Sequence, residues 1–151
     1  MDEFFRKLND GGVRYLLIGG QAMRLRGMAR FSMDWDLFVP PRDSENFARI
    51  NAALSQELED SIQELGSRGE GFVQTHNTRW GVIQFHLLVP GVPDFKEAES
   101  RAVWRLVDGE VSARCLSGAD LLAAKEAANR PQDQPDLIFL REQRSQGTLD
   151  D

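Results

Sequence analysis

The chain carries a single cysteine, Cys115, so it cannot close a disulfide on itself. That usage fits a reducing compartment, and a cytoplasmic location is expected. No apolar run approaches the roughly 18 residues that a bilayer crossing takes. The opening residues, MDEFFRKL, begin with acids and lack a signal-peptide core, so no membrane association is expected. Positive charge is also in short supply: 24 acidic residues face 18 basic ones, a formal charge of −6. Phosphate backbones reward basic surfaces, so the balance argues against an RNA-binding adaptor, although a local basic patch can overrule a total. Internal repeats and long low-complexity tracts are missing too. What remains is 151 residues at 41% apolar and 28% charged, enough for one domain with a proper core. A single domain over residues 1–144 is expected, with a frayed tail over 145–151.

The densest chemistry lies in residues 15–39, YLLIGGQAMRLRGMARFSMDWDLFV. An apolar run stops at Gly19-Gly20, a short amphipathic segment follows, and two aspartates then alternate with large apolar residues. Strand, glycine turn, helix, strand is the simplest reading. Side chains two apart on a strand share a face, which would set Asp34 beside Asp36 with Met33, Trp35 and Leu37 behind. Adjacent carboxylates repel unless a cation lies between them, and Mg²⁺ prefers such oxygen ligands and often bridges to phosphates.

The flanking pattern is α/β. Residues 2–9 read as a helix with Phe4, Phe5 and Leu8 inward, and 13–18 as a buried strand. Residues 21–26 read as a short helix and 32–39 as a strand ended by Pro40-Pro41. Asp43 or Ser44 caps a helix whose stripe is Phe47, Ile50, Leu54 and Leu58. Ser67-Arg68-Gly69-Glu70-Gly71 reads as a flexible connection. Residues 72–75 and 81–89 read as strands joined around His76-Asn77-Thr78, with Gln84 and His86 on one face of the second. Asp94-Phe95-Lys96-Glu97 has the form of a capping box, and residues 105–107 and 111–116 of a hairpin around Asp108-Gly109. Residues 118–129 and 136–144 close the chain as helices. Strands interleaved with helices imply an α/β or α+β domain with a mixed sheet.

Gly19 and Gly20 would let a phosphate approach the backbone at a helix start, though a ligand-free tight turn accounts for them as well. Between Gly11 and Met33 stand Arg14, Arg24, Arg26 and Arg30 with no acid among them. Arginines beside paired carboxylates suit a polyphosphate, while Arg14 and Arg26 read equally as solvated helix-face cations.

The apolar strand, Gly19-Gly20, the short helix, Arg30-Phe31-Ser32 and Asp34-Trp35-Asp36-Leu37 together resemble the polymerase-beta-like nucleotidyltransferase superfamily. The likeness is above all to its minimal and toxin-type members, including the abortive-infection nucleotidyltransferases. Asp120-Leu121-Leu122-Ala123-Ala124-Lys125, followed by Arg130, Asp133, Asp136 and Leu137, is similar to the helix-borne lysine motif of the toxin-type enzymes. The two blocks span about residues 3–140. The resemblance implies a nucleotidyltransferase-like mixed β-sheet flanked by helices that binds a nucleoside triphosphate with Mg²⁺, or Mn²⁺ in its place. It implies transfer of a nucleotidyl group, from ATP or another triphosphate, to a hydroxyl of RNA, protein or a small molecule, and is compatible with an antitoxin-like partner protein. Asp34 and Asp36 would hold the metal. Gly19, Gly20 and Gln21 would face the phosphates, Arg30 and Ser32 would border the triphosphate, and Lys125 would reach it. Structural alternatives stand beside these: Asp133 or Asp136 as a helix cap, Lys125 as a solvated helix-end cation, and Ser32 bonded only to nearby backbone.

Two departures bear on turnover. Gln21 follows the glycines where serine is common, and the third carboxylate is expected near His86. No Asp or Glu occurs between Gly71 and Pro93. Histidine is a poor Mg²⁺ ligand, but as a residue type it accepts a proton near neutral pH, which makes His86 the candidate base. A strand histidine with satisfied hydrogen bonds explains it equally, and Asp94 could substitute or simply cap its helix. The main reading is a Mg²⁺-dependent nucleotidyltransferase. The alternative is a catalytically weakened nucleotide-binding or partner-binding module of the same fold.

Overall fold

The apolar runs become the rows of one mixed sheet, and the computed structural model describes residues 1–64 and 72–150. The connection read over Ser67-Arg68-Gly69-Glu70-Gly71 lies outside the described residues. The strands are β1 (Leu16–Ile18), β2 (Trp35–Phe38), β3 (Val73–Thr78), β4 (Gly81–His86), β5 (Val103–Leu106) and β6 (Ser112–Cys115). They lie in the order β3-β4-β2-β1-β6-β5. β1 is antiparallel to β2 and parallel to β6, β2 is parallel to β4, and the β3–β4 and β5–β6 pairs are antiparallel hairpins. Helices α1 (Asp2–Asp10), α2 (Gly19–Leu25), α3 (Ser44–Ala53), α4 (Phe95–Arg101), α5 (Gly118–Ala128) and α6 (Gln134–Ser145) flank the sheet. This is the mixed α/β architecture expected. No helix among the described residues is long and apolar enough to cross a membrane.

Several boundaries move, each for a local reason. β1 begins at Leu16 because the backbone of Arg14 is taken by a buried side chain. Arg14 N donates to Asn46 Oδ1 at 2.7 Å, and Asn46 Nδ2 donates to Arg14 O at 2.9 Å. β2 starts at Trp35, so Asp34 precedes the strand; the segment before it is pinned over α2, where Gln21 Nε2 donates to Ser32 O at 2.8 Å. The β3–β4 turn falls at Arg79-Trp80, and His76, Asn77 and Thr78 are rungs of the ladder. Thr78 Oγ1 accepts from Trp80 N and donates to Gly81 O, closing that turn. α2 begins at the glycine pair itself.

Asp43, Asp94 and Ser117 cap α3, α4 and α5, each accepting from a backbone N–H three residues on. Phe47, Ile50 and Leu54 are buried as the stripe requires, while Leu58 lies past the helix end and packs at its margin. The segment after α6 lies against the domain: Leu149 packs on the core, and Gly118 N donates to Asp150 Oδ2 at 2.7 Å. Asp150 also pairs with Arg26.

Asn46 offers a test of these contacts. Asn46→Ala strips both partners from a buried backbone and is expected to cost about 1–3 kcal/mol, read as a lower urea midpoint at unchanged slope.

Candidate functional site

The bend between β1 and α2 is shaped by what lies on it. Ile18 is the register partner of Asp36, so the strand pairing carries that carboxylate to the bend. Gly19 has φ +72°, and a Cβ there would fall 2.6 Å from Asp36 Oδ2. A Cβ on Gly20 would fall 2.7 Å from Ser32 Oγ and 3.3 Å from Arg30 Cζ. Both positions therefore exclude side chains for steric reasons, since the site's own residues occupy the space.

A cavity of about 650 Å³ opens over this bend. Gly19, Gly20, Asp34 and Asp36 line it, as do Arg30, Ser32, His86 and Lys125. Asp34 reaches the cavity from the segment preceding β2, so strand alternation is not what places it there. Ser32 Oγ also makes a long local contact to Asp34 O at 3.4 Å, the backbone bond considered for it. Gln21 departs from the phosphate-facing role. It is buried away from the cavity, donating to Ser32 O and accepting from Arg24 Nε at 2.7 Å, and it holds the segment over α2.

His86 stands one strand over from Asp36, with Nε2 2.8 Å from Asp36 Oδ1. An ionised carboxylate only accepts, so Nε2 carries the hydrogen and donates. The other ring nitrogen, Nδ1, has no hydrogen-bond partner among the described residues.

The second sequence block builds the cationic side of the cavity. Lys125 is buried, and its Nζ lies 2.9 Å from Asp136 Oδ2 and 3.3 Å from Asp133 Oδ1. Arg130 grips Asp133 through Nε and Nη2, both at 2.9 Å, and Arg30 pairs with Asp136. Lys125 is thus no solvated helix-end cation. Asp133 does cap the 3-10 turn at Pro131–Asp133, accepting from Arg130 N at 3.1 Å, whereas the Asp136 carboxylate is committed to Lys125 and Arg30. Burial opposes ionisation of Asp133, but the Arg130 and Lys125 donors outweigh it and hold the carboxyl at about 2.

Of the four arginines near the glycines, Arg30 is the one lining the cavity. Arg14 joins Asp43 and Glu99, Arg24 lies over the Trp35 ring, and Arg26 is buried against Asp150. Neither Arg14 nor Arg26 is a solvated helix-face cation. Arg130, Gln84 and Gln132 line the cavity without having been singled out as site residues. Arg130 was the findable one, since it lies one turn beyond Lys125 in the same sequence block. Asp94 is engaged in capping α4. Burial pushes the Cys115 thiol up to about 12, which rules it out as a ready nucleophile.

Among the described residues no three His, Cys, Asp or Glu side chains converge as a metal-holding group. Two carboxylates line the cavity, and one or two is the number Mg²⁺ takes from protein when water and substrate phosphates complete its shell. The donor set fits a metal that enters with a phosphate ligand, not one caged by protein alone.

No family model and no curated protein matches the chain. Solved structures do. The crystal structure of a Thermotoga maritima protein described as a candidate nucleotidyltransferase aligns with a TM-score of 0.60 at 12% identity, covering 95% of this chain and 89% of that one. The solution structure of the antibiotic-resistance factor ANT(2'')-Ia aligns with a TM-score of 0.56 at 16% identity, covering 91% and 78% respectively. Identities this low establish the fold, and the fold is nucleotidyltransferase-like.

The ion cluster sets an acid limit. A carboxyl lowered to about 2 when folded, against about 3.9 when unfolded, stabilises the protein above the unfolded value, and that stability is lost as pH falls through the folded one. Stability is expected to drop between pH about 4 and about 2, and Asp133→Asn should flatten that drop while starting lower at neutral pH. Lys125→Met, which leaves two buried carboxylates short of a cation, is expected to cost about 3–5 kcal/mol in urea titration.

Proposed function

We propose that the chain is a nucleotidyltransferase that moves a nucleotidyl group from a nucleoside triphosphate to a hydroxyl acceptor. One observation carries this reading: Asp36 rests directly on the Gly19 bend, with Asp34 and the Arg30–Lys125–Arg130 cations facing the same cavity. The fold shared with nucleotidyltransferase structures supports it.

The three cations would receive the triphosphate tail, beside the Gly19-Gly20 bend that makes room for Asp36 and Ser32. Asp34 and Asp36 would hold Mg²⁺, or Mn²⁺, whose charge offsets that developing on phosphate oxygens. The acceptor oxygen forms its bond to the α-phosphorus as the bond to pyrophosphate breaks, and pyrophosphate leaves with the electron pair. The hydroxyl proton is released to water. The block from Asp120 to Leu137 supports a toxin-type member of the superfamily; an antitoxin-like partner rests on the resemblance alone, and a cytoplasmic setting on the single cysteine.

A second reading is a catalytically weakened nucleotide-binding or partner-binding module. It is favoured by the His86–Asp36 hydrogen bond, since the resemblance expects a third acid near His86.

Incubation with α-labelled ATP, CTP, GTP or UTP, Mg²⁺ or Mn²⁺, and total RNA or lysate separates the two. Transfer that falls on the order of 100-fold in Asp36→Asn is expected of the enzyme. Thermal stabilisation by nucleotide without transfer would establish the module instead. His86→Asp is expected to raise Mg²⁺-supported transfer, and no gain in transfer or metal affinity would displace His86 from the third-acid position.

A further inference from the structure

The cavity's fixed charges all come from one set of elements. Arg30, Asp34 and Asp36 come from the segment before β2 and from β2, and Lys125 and Arg130 from α5 and the turn after it. The hairpin side is different. β3, β4 and the segment after β4 contribute Val73, Gln84, His86, Leu88, Val89 and Pro90, and none of these carries a fixed charge. Residues 72–92 contain no acid and one arginine, Arg79. That arginine sits at the hairpin turn, the far end from His86, and pairs there with Glu3 at 2.6 Å.

This neutral wall is also unusually apolar for an exposed surface. Val73, 49% exposed, is the register partner of His86, and Leu88, 44% exposed, follows two residues beyond it. Phe31 and Met33, 83% and 72% exposed, line the same cavity on either side of Ser32 in the chain. Among the described residues, these four are half of the eight large apolar side chains left exposed. Clustering at one cavity mouth marks a binding surface, whereas singly scattered exposed apolar residues would not.

Building on the transferase reading above, we infer that the acceptor is an uncharged hydroxyl compound with an apolar body, seated on the wall formed by Val73, His86 and Leu88. A triphosphate belongs with the cations, so the acceptor is left the neutral side, next to the His86 ring. Among the described residues a polycationic acceptor would find no carboxylate on that wall, since the two acids of the cavity come from β2 and the segment before it. Among the described residues a nucleic-acid acceptor would find no cation there for its own phosphates. An apolar body gains by covering Val73 and Leu88, at about 25 cal/mol for each Å² buried. In the transfer, the acceptor oxygen bonds to the α-phosphorus, the bond to pyrophosphate breaks with its electron pair, and the hydroxyl proton is released to water.

The full chain would be assayed with labelled triphosphates and Mg²⁺ against five acceptors. Benzyl alcohol and N-acetyltyrosinamide represent a small molecule, and an uncharged peptide with Ser, Thr and Tyr between Val and Leu residues represents a protein. Kanamycin, a polycationic aminosugar, and a single-stranded RNA oligonucleotide complete the set. Transfer to a neutral acceptor with kcat/KM at least tenfold above kanamycin and RNA is expected, and the better neutral arm identifies the source. Leu88→Glu is expected to raise KM for the neutral acceptor about tenfold and leave KM for the triphosphate unchanged. Preference for kanamycin or RNA, or an acceptor KM indifferent to Leu88→Glu, overturns the neutral-acceptor inference and leaves the transferase reading standing. Nucleotide binding with label on no acceptor overturns both.

Discussion

Two carboxylates that water barely reaches organise one side of this molecule. Asp133 and Asp136 are each 1% exposed, and an uncompensated buried charge costs several kcal/mol. They therefore demand cations, and the cations come from distant parts of the chain: Lys125 from α5, Arg130 from the turn after it, and Arg30 from 106 residues upstream of its partner. The pairing ties the segment before β2 to the two C-terminal helices and fixes the outline of the cavity. Stability alone does not require such a cluster, because well-packed apolar replacements of buried ion pairs are often neutral or better. What apolar packing cannot supply is positive charge lining the cavity. On the proposed reading, that is the reason for carrying it.

The sequence showed the members of this cluster but not their partners. The arginines near the glycines stand in a window with no acid, so they read as polyphosphate-facing groups or solvated cations. Their partners lie 29 residues away for Arg14 with Asp43 and 124 away for Arg26 with Asp150, beyond any local pattern. Dispersal into separate ion pairs leaves Arg30 to face the cavity. Lys125 could have been read better. It lies four residues after Leu121 and three after Leu122, the buried face of its helix, and a lysine on such a face needs a counter-ion. The acids eight and eleven residues on, across the turn into α6, supply it.

The sheet was legible wherever burial imposed a period. The uninterrupted apolar run of β1 suits a central strand covered on both faces, and Ile83, Phe85 and Leu87 alternate as one face of β4 requires. Legibility failed where side chains displaced backbone partners. Asn46 takes the Arg14 backbone out of the ladder and shortens β1, and the pinning of Ser32 by Gln21 shortens β2. His76-Asn77-Thr78 has the polarity of a turn, yet it is polar because alternate residues of an edge strand face water. The turn needed Gly81 at φ +114°, and that constraint is local.

The contact between His86 and Asp36 bears hardest on function. With a third acid in that place, the empty site would hold like charges against one another, and each would disfavour ionisation of the others. A histidine there instead hydrogen-bonds Asp36 through Nε2 and fixes how its carboxylate is oriented before anything binds. The gain is a preorganised carboxylate on the glycine bend. The cost is one fewer oxygen for a hard cation, so on the proposed reading the metal's remaining ligands must come from the triphosphate and water. A site built this way favours metal and nucleotide arriving together. It also frees the hairpin wall from carrying charge, and that wall is where the apolar side chains gather.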